Sequence, residues 1–131
     1  MAFYIIAVGS NIEAEKHIQQ AFEQLQQVDP QTNIATLLCT KPVGFTEQAD
    51  FINTAFSFNC NLNAADLKTY LKNIETKLGR VRTDNKNGPR TIDLDIVKIN
   101  QNIVDDDYYR YDFVKNSVDE LVVINANKSN S

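Results

Sequence analysis

Two hydrophobic periods alternate along this 131-residue chain, and that alternation limits its fold more than any other feature. Residues 3–8 form a short apolar, partly β-branched run ending at Gly9-Ser10-Asn11, the pattern of a buried strand entering a turn. Over residues 13–28 the apolar Ile18, Ala21, Phe22 and Leu25 fall at helical spacing, which leaves His17 on the exposed side, and Asp29-Pro30 closes the segment. Residues 34–39 read as a second strand, residues 40–45 as a Pro- and Gly-containing loop, and residues 51–58 as a third strand. Asn63 is placed to N-cap a second helix, with Asp66 near its positive end. In that helix Leu67, Leu71, Ile74 and Leu78 recur at i, i+4, i+7 and i+11, and Gly79 supplies a stop. Residues 91–99 make a fourth strand.

The order strand, helix, strand, strand, helix, strand predicts an α+β, ferredoxin-like βαββαβ sandwich, with both helices on one face of an antiparallel sheet. Beyond residue 99 the pattern weakens. Residues 103–104 read as a brief strand, 105–107 as a turn and 121–124 as a late strand. A single domain is expected over 1–124, followed by a frayed polar tail over 125–131.

Composition removes several function classes. Thirteen basic against 17 acidic residues give a net charge of −4, which argues against bulk binding to nucleic acid or anionic membrane. No apolar run approaches the roughly 20 residues of a membrane span, and the first residues lack the basic start of a secretory leader, so a cytoplasmic protein is expected. Cys39 and Cys60 lie in apolar stretches without metal-ligand spacing and read as buried thiols in a reducing compartment. With one histidine, a Ser-His-Asp triad or a His-rich metal site is poorly supplied.

The chemistry concentrates in Arg90-Thr91-Ile92-Asp93-Leu94-Asp95-Ile96. In a strand, Ile92, Leu94 and Ile96 face one way and Asp93 and Asp95 the other. Two adjacent carboxylates repel unless a cation lies between them, and Mg²⁺ takes such oxygens together with phosphate and water. A bare D-x-D also fits two solvated acids. Its neighbours sharpen the reading: three of the four arginines, Arg80, Arg82 and Arg90, lie close by with Lys86. Guanidinium forks suit phosphate oxygens, so acids and arginines together fit a metal-triphosphate site, with the polar residues 83–88 as a loop able to close over it. Surface ion pairing is the competing explanation. Neither a G-x-x-x-x-G-K loop nor a dinucleotide-binding glycine fingerprint occurs. A second grouping, Thr40-Lys41-Pro42-Val43-Gly44 followed by Phe51 and Asn53, offers an aromatic face and an amide for a small flat heterocycle.

At these residues the sequence resembles the 6-hydroxymethyl-7,8-dihydropterin pyrophosphokinase family of folate biosynthesis. The resemblance rests on Ala7-Val8-Gly9-Ser10-Asn11, on Pro42-Val43-Gly44 with Gln48 to Asn53, on Glu75 before Gly79-Arg80-Val81-Arg82, and above all on Gly88-Pro89-Arg90-Thr91-Ile92-Asp93-Leu94-Asp95. It implies a ferredoxin-like α+β fold and a transferase that moves pyrophosphate from ATP to the pterin alcohol, releasing AMP. It further implies that Asp93 and Asp95 hold two Mg²⁺ ions, and that Arg80, Arg82 and Arg90 serve catalysis. Glu75, Arg82, Arg90, Ile96 and Arg110 would border ATP, while Thr40, Val43, Phe51 and Asn53 would hold the pterin. The chain departs from the family pattern at Asn87, where an aromatic is usual, and at Arg110, Asn116 and Val118, which stand for a histidine, an arginine and a phenylalanine. A divergent relative that binds Mg-nucleotide without pterin turnover is the alternative; a nucleic-acid-binding domain on the same plan is opposed by the net acidity.

Overall fold

The structure is a computed structural model that describes residues 1–44, 46–80 and 88–129. In chain order its elements are β1 (Ala2–Ser10), α1 (Ala14–Val28), β2 (Asn33–Ile34), β3 (Leu38–Thr40), β4 (Phe51–Cys60), α2 (Ala64–Lys77), β5 (Asp93–Ile99), β6 (Asn102–Ile103), α3 (Asp107–Arg110) and α4 (Asp112–Ser129). The apolar first run makes β1 the centre of an antiparallel sheet, flanked by β4 on one side and β5 on the other. Both β2 and β3 pair with the outer edge of β4, and β6 closes the far edge against β5. The second predicted strand is thus split. Residues between the two pieces leave the ladder but keep their bonds: Ala35 N donates to Ala55 O at 3.0 Å, and Thr36 N donates to a Glu120 carboxylate oxygen at 3.0 Å.

Strand alternation sorts the apolar side chains onto two faces. Tyr4, Ile6, Val8, Phe56, Phe58 and Leu94 pack with Ile18, Ala21 and Leu25 of α1 and Leu67, Leu71 and Ile74 of α2. The expected N-cap is present, since Asn63 Oδ1 accepts from Asp66 N at 2.9 Å. On the opposite face Ile5, Ala55 and Val97 meet Val114, Val118 and Leu121 of α4. An antiparallel α+β sheet with helices on it agrees with the sequence, α1 and α2 share one face, and the additional helix α4 covers the other. The late strand predicted at 121–124 is instead part of α4, and the tail expected to fray from Asn125 is helical as far as Ser129. Val114, Val118 and Leu121, spaced i, i+4 and i+7, carry that helix. The turn predicted at 105–107 passes directly into α3.

Two side chains also differ from expectation. His17 is buried at the start of α1, and its ring Nδ1 donates to the Ile12 carbonyl at 2.6 Å. Cys60 is buried as expected, but Cys39 is exposed because β3 is an edge strand; neither is in a disulfide. No helix among the described residues is long and apolar enough to cross a membrane.

Helical rather than extended geometry at the C-terminal end separates Leu121 from Val123. Leu121 is fully buried, whereas Val123 is 58% exposed. Leu121→Ala is expected to cost about 2–4 kcal/mol in urea unfolding, and Val123→Ala less than about 0.5 kcal/mol. Equal losses would indicate a strand, in which residues two apart share a face.

Candidate active site

The α4 face of the sheet is covered at one end only. Toward the other end the register sets small residues beside acids: Asn53 lies opposite Gly9 and Gly9 opposite Asp93, while Ala55 lies opposite Ala7 and Ala7 opposite Asp95. Because directly paired residues share a face, Asn53, Gly9 and Asp93 form one row and Ala7 and Asp95 the next. Gly9 and Ala7 leave the space above the sheet open. The result is a cavity of about 180 Å³ whose lining includes Thr40, Val43, Phe51, Asn53, Arg90, Asp93 and Asp95. Tyr111, Phe113 and Val114, at the entry to α4, line it from the opposite side.

Charge at the cavity floor is organised from beneath. Residues 75–80 end α2 in a Schellman turn: Arg80 N donates to Glu75 O and Gly79 N to Thr76 O, both at 3.0 Å, with Gly79 at φ +91°. The turn brings Arg80 back over its own helix. Its Nη1 donates to Glu75 Oε1 at 3.0 Å and to Asp93 Oδ1 at 2.8 Å. Glu75 is completely buried and also accepts from Leu94 N at 2.7 Å, tying α2 to β5. Its side chain is not among the residues lining the cavity and lies beneath the acids. Arg90 Nη1 donates to the second oxygen of Asp93 at 3.0 Å. Burial would raise the Asp93 carboxyl, but Arg80, then Arg90 and Lys72, outweigh it and hold it below the usual carboxylate range.

Asp95 is treated differently by its surroundings. Among the described residues the cation nearest to it is Lys72 Nζ at 3.6 Å, which also meets Glu75 at 3.3 Å. The carboxyl is pushed up to about 7, first by its withdrawal from bulk water and then by the Asp93 charge beside it. The pair is therefore short of positive charge on the Asp95 side. Two oxygen donors in one cavity with that deficit fit a hard divalent cation that keeps phosphate and water ligands as well. Among the described residues no group of three or more His, Cys, Asp and Glu would hold a metal without such outside ligands.

The second sequence grouping lies in the same cavity. Asn53 Nδ2 donates a short hydrogen bond to Thr40 Oγ1, which fixes the amide and turns its oxygen toward Gly9. A Cβ on Gly9 would sit 2.9 Å from Asn53 Oδ1, so the close approach requires glycine there. The Arg90 guanidinium lies over the Phe51 ring, 5.3 Å from its centroid. Ile96 packs its side chain against the α1–α2 core. Arg110 is 63% exposed in α3, 3.7 Å from Asp107, and does not line the cavity. Asn116 is exposed, and Val118 is buried in the core beneath α4 rather than forming a wall of the slot. Arg82, Lys86 and Asn87 lie outside the described residues. Sequence reasoning missed Lys72, a helical lysine without local signal, and Phe113. Tyr111 and Phe113 stack with their ring centroids 5.5 Å apart.

A carboxyl whose folded-state pKa is raised stabilises the fold below its ordinary pKa and loses that contribution as pH rises through the folded value. Asp95 therefore weakens the metal-free protein as pH climbs from about 4 to about 7. Asp95→Asn removes that loss, so its melting temperature relative to wild type should increase across this window and level off above it. Thermal unfolding in EDTA at several pH values checks the sign; a gap that narrows with pH contradicts it.

Comparison with known proteins agrees with this arrangement. The family model for 7,8-dihydro-6-hydroxymethylpterin-pyrophosphokinase (HPPK) matches residues 5–123. The 2-amino-4-hydroxy-6-hydroxymethyldihydropteridine pyrophosphokinase of Bacillus subtilis is 39% identical over 99 residues, covering 73% of this chain and 59% of the relative. The Pseudomonas aeruginosa protein of the same name is 36% identical over 104 residues (76% and 63%), and that of Campylobacter jejuni 38% over 105 residues (76% and 64%). The matches thus span about three-fifths of these relatives' length. With 119 residues of family match and the signature acids gathered with Arg90 in one cavity, the chain belongs to the 7,8-dihydro-6-hydroxymethylpterin-pyrophosphokinase family.

Proposed function

We propose that this protein transfers the β,γ-pyrophosphoryl unit of ATP to 6-hydroxymethyl-7,8-dihydropterin, releasing AMP, in the cytoplasmic synthesis of folate. The observation that carries the reading is the shared cavity: the heterocycle slot at Thr40, Val43, Phe51 and Asn53 opens beside the acids Asp93 and Asp95. An acceptor seated on Phe51 would thereby lie next to the group that must be delivered to it, which replaces a bimolecular encounter by a positioned one.

The chain's own residues have distinct tasks. Phe51 offers a stacking face, and the Asn53 amide, clamped by Thr40, presents its oxygen to donors on the heterocycle edge. Asp93 and Asp95 are the oxygen donors for Mg²⁺, two ions being the number the family resemblance implies. Bound Mg²⁺ supplies neutralisation of the polyphosphate and orientation for in-line transfer. Arg90, held on Asp93 at 3.0 Å, exchanges that partner for phosphate oxygen when ATP binds. Arg80 stays below as the fixed positive charge that keeps Asp93 ionised, and Arg82 is proposed for the phosphates on the family motif alone.

The test is AMP release from ATP in the presence of Mg²⁺ and the pterin alcohol. Wild type should form AMP only when the pterin is present, and EDTA should stop it. Asp95→Ala should lower the rate by at least about a hundredfold, the scale of losing a preorganised charge in a water-poor site, with its circular dichroism unchanged. Asn116 and Val118, which stand for an arginine and a phenylalanine of the family pattern and do not line the cavity, favour one competing reading in which the protein binds Mg-ATP without turnover. Calorimetric Mg-ATP binding with no pterin-dependent AMP at high protein concentration would establish that reading instead.

A further inference from the structure

From its hydrogen bonds we infer that Asn11 is a positioning residue that locks the heterocycle slot and the Arg90 segment into one rigid unit. This role rests on the functional reading above. Asn11 follows the last residue of β1 and touches neither the acids nor the slot. Its Nδ2 donates to Gln48 Oε1 at 2.8 Å and to Ala49 O at 3.1 Å. Its Oδ1 accepts from Arg90 N at 2.9 Å, and its own N–H donates to Arg90 O at 3.2 Å. One side chain thus holds the stretch between Thr40 and Phe51, and the same residue holds the backbone of Arg90 on both its polar atoms.

The two held segments carry the two halves of the cavity. Gln48 and Ala49 lie just before Phe51, whose ring forms the slot, and Arg90 reaches both that ring and Asp93. Neither Gln48-Ala49 nor Arg90 lies in a regular element, and Asn11 ties both stretches to the end of β1. Only an amide of this length offers an acceptor to one loop and two donors to the other at once. A carboxylate keeps the acceptor and loses the donors; leucine keeps the volume and loses both. Asn11 therefore sets the distance between the stacking face and the guanidinium without contacting ligand.

Three variants separate this role from a generic structural one. Asn11→Ala removes both straps, Gln48→Ala loosens only the slot side, and Asn11→Asp keeps an acceptor for Arg90 N. Amide hydrogen exchange at Arg90 is read on the metal-free protein, and calorimetric binding of 6-hydroxymethylpterin and of Mg-ATP is read separately. In Asn11→Ala, Arg90 exchange should accelerate on the order of tenfold and pterin affinity should fall by a similar factor, the size of one lost hydrogen bond. In Gln48→Ala and Asn11→Asp, pterin affinity should fall while Arg90 exchange stays within about twofold of wild type. Should Asn11→Ala not fold, the Asn11→Asp and Gln48→Ala comparison decides alone. The inference is overturned if Arg90 exchange and pterin affinity in the folded variants stay at wild-type values, or if all three variants change both readouts equally. Exchange needs no turnover, so an absence of AMP in wild type would count against the proposed reaction while leaving this measurement decisive.

Discussion

A carboxylate with no access to water holds the cavity end of this molecule together. Glu75 accepts from the backbone of Leu94 and from Arg80, with Lys72 at 3.3 Å, and so joins the last turn of α2 to the strand that bears the acids. Buried charge is tolerated only when partners surround it, and removing one partner of such a pair costs roughly 3–5 kcal/mol. Glu75 holds Arg80 by that bond, and Arg80, ahead of Arg90 and Lys72, keeps Asp93 below the usual carboxylate range. The positive charge under the site therefore begins in a helix cap rather than in the cavity itself.

From that anchor the two acids acquire different characters. Asp93 is held by two guanidiniums and stays ionised, whereas Asp95 faces its neighbour with one lysine for support. Equal residues two apart on one strand thus become a fixed charge and a labile one. The division follows from what lies under each position, not from the D-x-D spacing. It gives the pair an unfilled demand for positive charge, which is the state from which a divalent cation binds most favourably.

Most of the sheet was legible in the sequence because β1, β4 and β5 and the helices α1 and α2 bury a clear face. Ile18, Ala21 and Leu25, or Leu67, Leu71 and Ile74, could hardly be read otherwise. The paired acids were legible for the same reason, since period-two alternation sets both on one side of β5, whereas the grouping at residues 40–53 was read from residue type alone. Failure came where burial depended on a distant partner. Leu121-Val122-Val123-Ile124 is locally strand-like, and only contact with Ile5, Ala55 and Val97 makes it a helix. Tyr111 and Phe113 join the cavity through that packing, so no local pattern announced them. His17 was misplaced because a buried polar ring needs a specific acceptor, here the Ile12 carbonyl, which periodicity does not encode.

The guanidinium resting on Phe51 has a bearing on how the protein behaves between encounters with ligand. A flat aromatic lining an open hollow is a sticky surface, prone to pairing with other chains. Arg90 lies across that ring with its side chain 16% exposed, so the aromatic face is covered by a guanidinium. The same side chain that awaits phosphate doubles as a solubilising cover.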